Sequence, residues 1–206
     1  NPTGTVTGKA ELVRLAERCE ETKTFLCVDE CFLPFLPGEP ALSMKGETVR
    51  FPHLAVLRAF TKVYGMPGLR LGYLMTGNRE LAEWLKEKLP PWNVSLPAQL
   101  AGAAALKAEG YLEKTRELIR GEKEKLVSLL LETVADRVYP GSANFLFFHG
   151  REGLKEALLD RKILIRDCSN FKGLSRGYYR ICIRTQEENE RLKEILYSLA
   201  GKEAGK

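Results

Sequence analysis

Two residues with an evident capacity for chemistry, Lys62 and Arg70, lie in the stretch Arg58-Ala59-Phe60-Thr61-Lys62-Val63-Tyr64-Gly65-Met66-Pro67-Gly68-Leu69-Arg70-Leu71-Gly72-Tyr73. Apolar surroundings and a nearby cation disfavour the ammonium form of a lysine, leaving its amine free to attack an aldehyde. Gly65, Pro67, Gly68 and Gly72 allow the backbone to turn tightly and approach a bound group, and Arg70 offers a planar fork suited to a phosphate. A ligand carrying both an aldehyde and a phosphate fits this set, and pyridoxal phosphate is such a ligand. The plain alternative is a buried strand along which Lys62 snorkels to water while Arg70 lies on the surface.

Two further stretches narrow the choice. The chain opens on Asn1-Pro2-Thr3-Gly4, and Phe25-Leu26-Cys27-Val28-Asp29-Glu30-Cys31-Phe32 is an apolar run ending in acid. A carboxylate beside a pyridinium nitrogen favours the protonated ring, which is the form that accepts electrons. Asp29 is the candidate for that role. Its alternative is a carboxylate capping the next turn.

Taken in order, these stretches resemble the fold-type I aminotransferase superfamily. Asp-Glu-x-Phe, Thr-Lys-x-Tyr-x-x-Pro-Gly-Leu-Arg-Leu-Gly-Tyr and Leu164-Ile165-Arg166-Asp167-Cys168-Ser169-Asn170-Phe171 look most like the threonine-phosphate decarboxylases of cobalamin synthesis. Histidinol-phosphate aminotransferases are their near relatives. The resemblance implies pyridoxal 5'-phosphate as cofactor, bound by Asn1, Asp29, Thr61, Lys62 and Arg70, with Lys62 as the catalytic residue. It implies a small phosphorylated amino acid as substrate, with Arg180 on the carboxylate, Arg166 on the phosphate and Asn144 facing the site. It also implies a homodimer. Two positions depart from the usual pattern: Phe32 stands where many aminotransferases have tyrosine, which favours the decarboxylase reading, and Ala59 stands where a hydroxyl residue is common. Because the resemblance places Asn-Pro-Thr-Gly well inside the fold, a chain opening on Asn1 reads as a piece of a longer protein. A catalytically incomplete fragment is therefore a third reading beside decarboxylase and aminotransferase.

The elements that must position these residues follow from periodicity. Leu12, Val13, Leu15 and Ala16 have helical spacing, with Thr7 as cap, and Thr24 to Val28 reads as a parallel strand buried on both faces. A loop over residues 34–48 leads to strands near 55–60 and 69–76, and helices are expected over 78–88, 98–108 and 111–134. Strands at 143–148, 163–165 and 179–183 alternate with helices at 150–161 and 187–199. The expected fold class is α/β: part of a large pyridoxal-phosphate domain with a mostly parallel sheet over residues 1–120, then a smaller α+β domain over 121–206. Lys202–Lys206 is expected to fray.

Composition sets outer limits. The chain has 206 residues, 44% hydrophobic and 29% charged, with no apolar run of membrane-spanning length, so no membrane partner is expected. The formal charge of +5 is spread over helices interleaved with glutamate, and no nucleic-acid signature accompanies it. His53 and His149 lack metal-ligand spacing, and no metal is expected. Five cysteines without a C-x-x-C pair fit reduced thiols in a cytoplasm, with Cys27 and Cys31 read as core residues.

Overall fold

A computed structural model of the protein describes residues 2–201; Asn1 and the expected frayed tail at Lys202–Lys206 lie outside the described residues. The chain divides into two compact units, Thr7–Leu112 and a second one built from Glu113 onward together with the segment that ends at Val6.

In the first unit, helix α1 (Lys9–Glu21) precedes strand β1 (Leu26–Asp29), and β2 (Leu54–Ala59) and β3 (Gly72–Thr76) complete a sheet of order β1-β2-β3. β1 and β2 are parallel, with Asp29 opposite Leu57. β3 returns antiparallel, with Gly72 opposite Ala59. The sheet is thus mixed where a mostly parallel one was expected. Residues 60–71, which join β2 to β3, hold α3 (Phe60–Val63) and a 3-10 turn at Pro67–Leu69, and neither is long enough to carry the chain back along the sheet face for a parallel return. The 3-10 turn also delays β3, which starts at Gly72 and not at Leu69.

Helical spacing puts Leu12, Val13 and Ala16 on the inner face of α1, where they pack with Leu26, Val28, Leu54, Val56, Met75, Met44 and Phe51. Strand alternation sends Cys27 and Asp29 to the other face, and both are exposed. β1 is therefore buried on one face only, and Cys27 is not a core residue. Residues 33–49, expected as loop, form helical turns at Leu33–Phe35, α2 (Glu39–Leu42) and Lys45–Val49. Asn78 caps α4 (Arg79–Lys88) by accepting from the Leu81 amide at 2.9 Å, and the Ser95 hydroxyl caps α5 (Leu96–Leu106).

The long helix α6 (Tyr111–Thr133) leads into the second unit, whose four strands β4 (Ala135–Tyr139), β5 (Phe145–Gly150), β6 (Arg166–Asp167) and β7 (Tyr178–Cys182) are ordered β4-β5-β7-β6, all antiparallel. Leu146, Phe148 and Ile181 share one sheet face and, with Leu126 and Leu130 of α6, Leu154 and Leu158 of α7 (Leu154–Asp160) and Leu192 and Leu196 of α8 (Gln186–Leu199), supply the unit's buried apolar residues. Thr185 and Glu188 form a reciprocal capping box at the start of α8. β4 was absent from the sequence reading: Asp136 and Arg137 break any apolar alternation, and only pairing with β5 makes this segment a strand. The strand expected at 163–165 forms one turn later, at Arg166–Asp167.

Candidate active site

Asp29 ends β1 and Lys62 follows the neighbouring parallel strand, so both lie at the carboxyl ends of adjacent strands, where ligands of open α/β sheets bind. The single turn of α3 turns Phe60, Thr61 and Val63 inward and leaves Lys62 exposed. The apolar run thus packs beneath the lysine without enclosing it. Phe60 and Tyr64 stack at 5.3 Å between ring centroids, and Tyr64 stacks on Tyr111 at 5.5 Å, which fixes both ends of this turn.

Cys31 lies within electrostatic reach of both Asp29 and Lys62. The Asp29 carboxylate accepts from the Cys31 amide at 2.9 Å, closing a tight turn at the end of β1. Burial, and then the hydrogen bond and charge of Asp29, push the Cys31 thiol up to about 12, against the opposing pull of Lys62. A thiol held this high is almost wholly protonated near neutrality. It acts as a neutral hydrogen-bond donor to Asp29 and is not a nucleophile. Alkylation of Cys31 at about pH 8 is expected to run about a hundredfold or more slower than that of a cysteine in an unfolded peptide. Asp29→Asn removes two of the raising influences and should speed it several-fold. Peptide mapping after timed exposure to iodoacetamide checks both; an equal rate in the two proteins would remove the Asp29–Cys31 contact.

Arg70 is exposed and has a left-handed backbone, φ 54°, which is uncommon outside glycine. This conformation turns the chain out of the 3-10 turn into β3, and the guanidinium donates to the Pro67 carbonyl at 2.8 Å. Gly72 follows against Ala59: a Cβ there would come 3.0 Å from the Arg58 carbonyl, so a larger residue would press β3 against β2 beside the lysine.

Beneath these residues lies a charged cluster that sequence reading missed. The Glu30 carboxylate, 4% exposed, accepts from the Met44 amide at 2.6 Å, the Ser43 hydroxyl at 2.8 Å, and Arg58 Nε and Nη2 at 3.0 and 2.7 Å. Arg58 Nη2 also meets Ser43 Oγ at 2.9 Å and the Glu39 carboxylate. Burial disfavours the Arg58 charge, but the hydrogen bonds from Glu30 and Glu39 outweigh it and leave the guanidinium above its usual range. Breaking such a pair from one side costs about 3–5 kcal/mol. The available signal was an acid and a base, Glu30 and Arg58, at the ends of otherwise apolar runs.

In the second unit, Arg166 of β6 stands directly opposite Arg180 of β7. Directly opposite residues of an antiparallel pair share a sheet face with Cβ atoms about 5 Å apart, and like charges there repel. Arg180 lies over the Phe145 ring at 4.5 Å, and Arg166 lies 5.8 Å from the Phe171 ring while donating to Asn170 Oδ1 at 3.0 Å. Both guanidiniums bear on the fully buried Cys168 thiol, whose pKa burial raises and the two charges lower. Asn144 reaches the same region, its amide nitrogen 3.8 Å from Cys182 Sγ, two residues beyond Arg180. Thr3 and Gly4 dock here too: the Ser142 amide donates to the Gly4 carbonyl at 2.7 Å, and Gly4 packs against the edge of the Phe145 ring. Asp29, Thr61, Lys62 and Arg70 thus lie in one unit and Asn144, Arg166 and Arg180 in the other, with Arg166 and Arg180 directly opposite each other.

Three comparisons bear on this arrangement. The profile of the family described as aminotransferase class I and II matches residues 1–196. A threonine-phosphate decarboxylase of Salmonella typhimurium is 38% identical over 203 residues, covering 95% of this chain and 54% of that protein. The solved structure of a histidinol-phosphate aminotransferase from Clostridium acetobutylicum superposes with a TM-score of 0.89 at 32% identity, covering 98% of this chain and 61% of that one. Another, a Sinorhizobium meliloti histidinol-phosphate aminotransferase in complex with pyridoxal-5'-phosphate, gives a TM-score of 0.79 at 25% identity and covers 97% and 56%. The chain thus spans about half the length of the curated relatives it matches, and from its first residues to α8 it belongs to the aminotransferase class I and II family.

Proposed function

We propose that the protein is a pyridoxal-phosphate enzyme that decarboxylates L-threonine O-3-phosphate to aminopropanol phosphate, a step of cobalamin biosynthesis, and that it works as a cytoplasmic homodimer. The observation that carries the reading is the facing pair Arg166 and Arg180. The pair offers two planar forks side by side on one sheet face, and phosphothreonine brings both a carboxylate and a phosphate, each able to take a bidentate contact. The 38% identity to a named threonine-phosphate decarboxylase supports the same substrate. Five free cysteines, with Cys27 exposed, suit a reducing compartment.

The residues of the first unit fit the cofactor. An exposed amine on Lys62, a carboxylate on Asp29 at the neighbouring strand end, the Thr61 hydroxyl and the Arg70 fork match its aldehyde, ring nitrogen and phosphate. Pyridoxal phosphate, when bound, supplies an electrophilic carbon and a ring that takes up the electron pair of the broken bond. Asp29 would hold the proton on the ring nitrogen, Thr61 and Arg70 would hold the phosphate, and Asn1, by the family resemblance, would donate to the phenolic oxygen. Arg180 would bind the substrate carboxylate and Arg166 its phosphate. Lys62 would return a proton to the α-carbon once carbon dioxide has left.

Transamination of histidinol phosphate is the second reading, favoured by the TM-score of 0.89 to such an enzyme. The two separate in one assay on the intact protein, given phosphothreonine alone or histidinol phosphate with 2-oxoglutarate. Carbon dioxide from the first is the expected result. Glutamate from the second without carbon dioxide from the first overturns it.

A further inference from the structure

The buried cluster around Arg58 has no part in the chemistry above, yet it touches both strands that carry the site. Glu30 is the residue after Asp29, and its amide extends the β1–β2 ladder by donating to the Leu57 carbonyl at 2.9 Å. Arg58 precedes Lys62 by one turn of chain. Alternation turns Arg58 toward the core face, opposite to Asp29, so the cluster sits below the site and not in it. Both Glu30 oxygens are engaged, and Ser43 bonds to both members of the pair.

We infer that Arg58, acting through Glu30, is a positioning residue that fixes the end of β1 against the end of β2 and so sets the separation of Asp29 from Lys62. This rests on the reading of those two as cofactor residues. A rigid ring spans a fixed distance between its nitrogen and its aldehyde carbon, so the carboxylate and the amine must be held at one spacing. Apolar packing alone resists separation of two strand ends but not their sliding. A carboxylate with four directed donors resists both. Buried ion pairs are weak stability devices compared with apolar residues of the same volume, which makes a geometric role the better account of this one. The helical turns of residues 33–49 contribute Ser43, Met44 and Glu39 to the same anchor, which explains why a segment rich in proline and glycine is ordered over the strand ends.

The test uses Arg58→Lys, which keeps the charge but loses the fork, and Glu30→Gln, which keeps the shape but loses the charge, both in the intact protein. Thermal midpoint, kcat and KM, and the pH midpoint of the absorbance of cofactor held on Lys62 are measured for each. Expected are folded proteins with KM little changed, kcat reduced about tenfold to a hundredfold, and a shifted absorbance midpoint, because a displacement of Asp29 alters the ring nitrogen it faces. A folded variant with wild-type kcat and midpoint overturns the inference. Failure of both variants to fold would make the cluster a stability element and overturn it equally. Absence of cofactor on Lys62 in the unaltered protein would instead defeat the underlying reading.

Discussion

Lys62→Ala is expected to abolish covalent attachment of pyridoxal phosphate and to leave the fold intact. The amine is exposed at the surface of α3, while Phe60, Thr61 and Val63 of the same turn face inward and supply its packing. Removing an exposed side chain away from a buried network changes stability by about 0.5 kcal/mol or less. Removing the amine takes away both the covalent anchor and the proton donor, and proton transfer alone accounts for about 10²–10⁴-fold in rate. Borohydride treatment of the cofactor-loaded protein, followed by peptide mapping, should place the label on Lys62 in the unaltered protein and nowhere in the variant. A label on any other lysine sinks the assignment, and a large drop in thermal midpoint would mean that Lys62 serves the fold.

Arg166→Gln should collapse the preference for phosphothreonine over threonine. In the unaltered protein, a dianion seated between Arg166 and Arg180 gains charge-assisted hydrogen bonds of about 1.5–3 kcal/mol each, which amounts to hundreds-fold discrimination. Without the Arg166 fork, that advantage disappears for the phosphate and remains for the carboxylate. KM for phosphothreonine should rise about a hundredfold, with threonine itself little affected. Added inorganic phosphate should raise the thermal midpoint of the unaltered protein and not that of the variant. An unchanged ratio of kcat/KM for the two substrates would take Arg166 out of the site.

Much of the candidate site was legible in the sequence because the chemistry proposed for it rests on residue type and local spacing. Lys62, Arg70 and the glycines between them lie within one short connection, and the run into Asp29 is a contiguous strand. The elements with strong period, α1, α4, α6 and α8, were legible for the same reason: a 3.6-residue repeat needs no distant partner to reveal it. What depended on partners remote in sequence was not. The strand β4 exists through β5, and the exposure of Cys27, Asp29 and Lys62 follows from which sheet face the α1 core covers. The direction of β3 shows only in its pairing with β2. Glu30 and Arg58, 28 residues apart, become a pair only when β1 and β2 lie side by side, and Arg166 meets Arg180 only through the β6–β7 register. The sequence by itself determined which groups are available for chemistry. Tertiary pairing alone decided which of them are neighbours, because strands remote in sequence meet through contacts that neither strand supplies by itself.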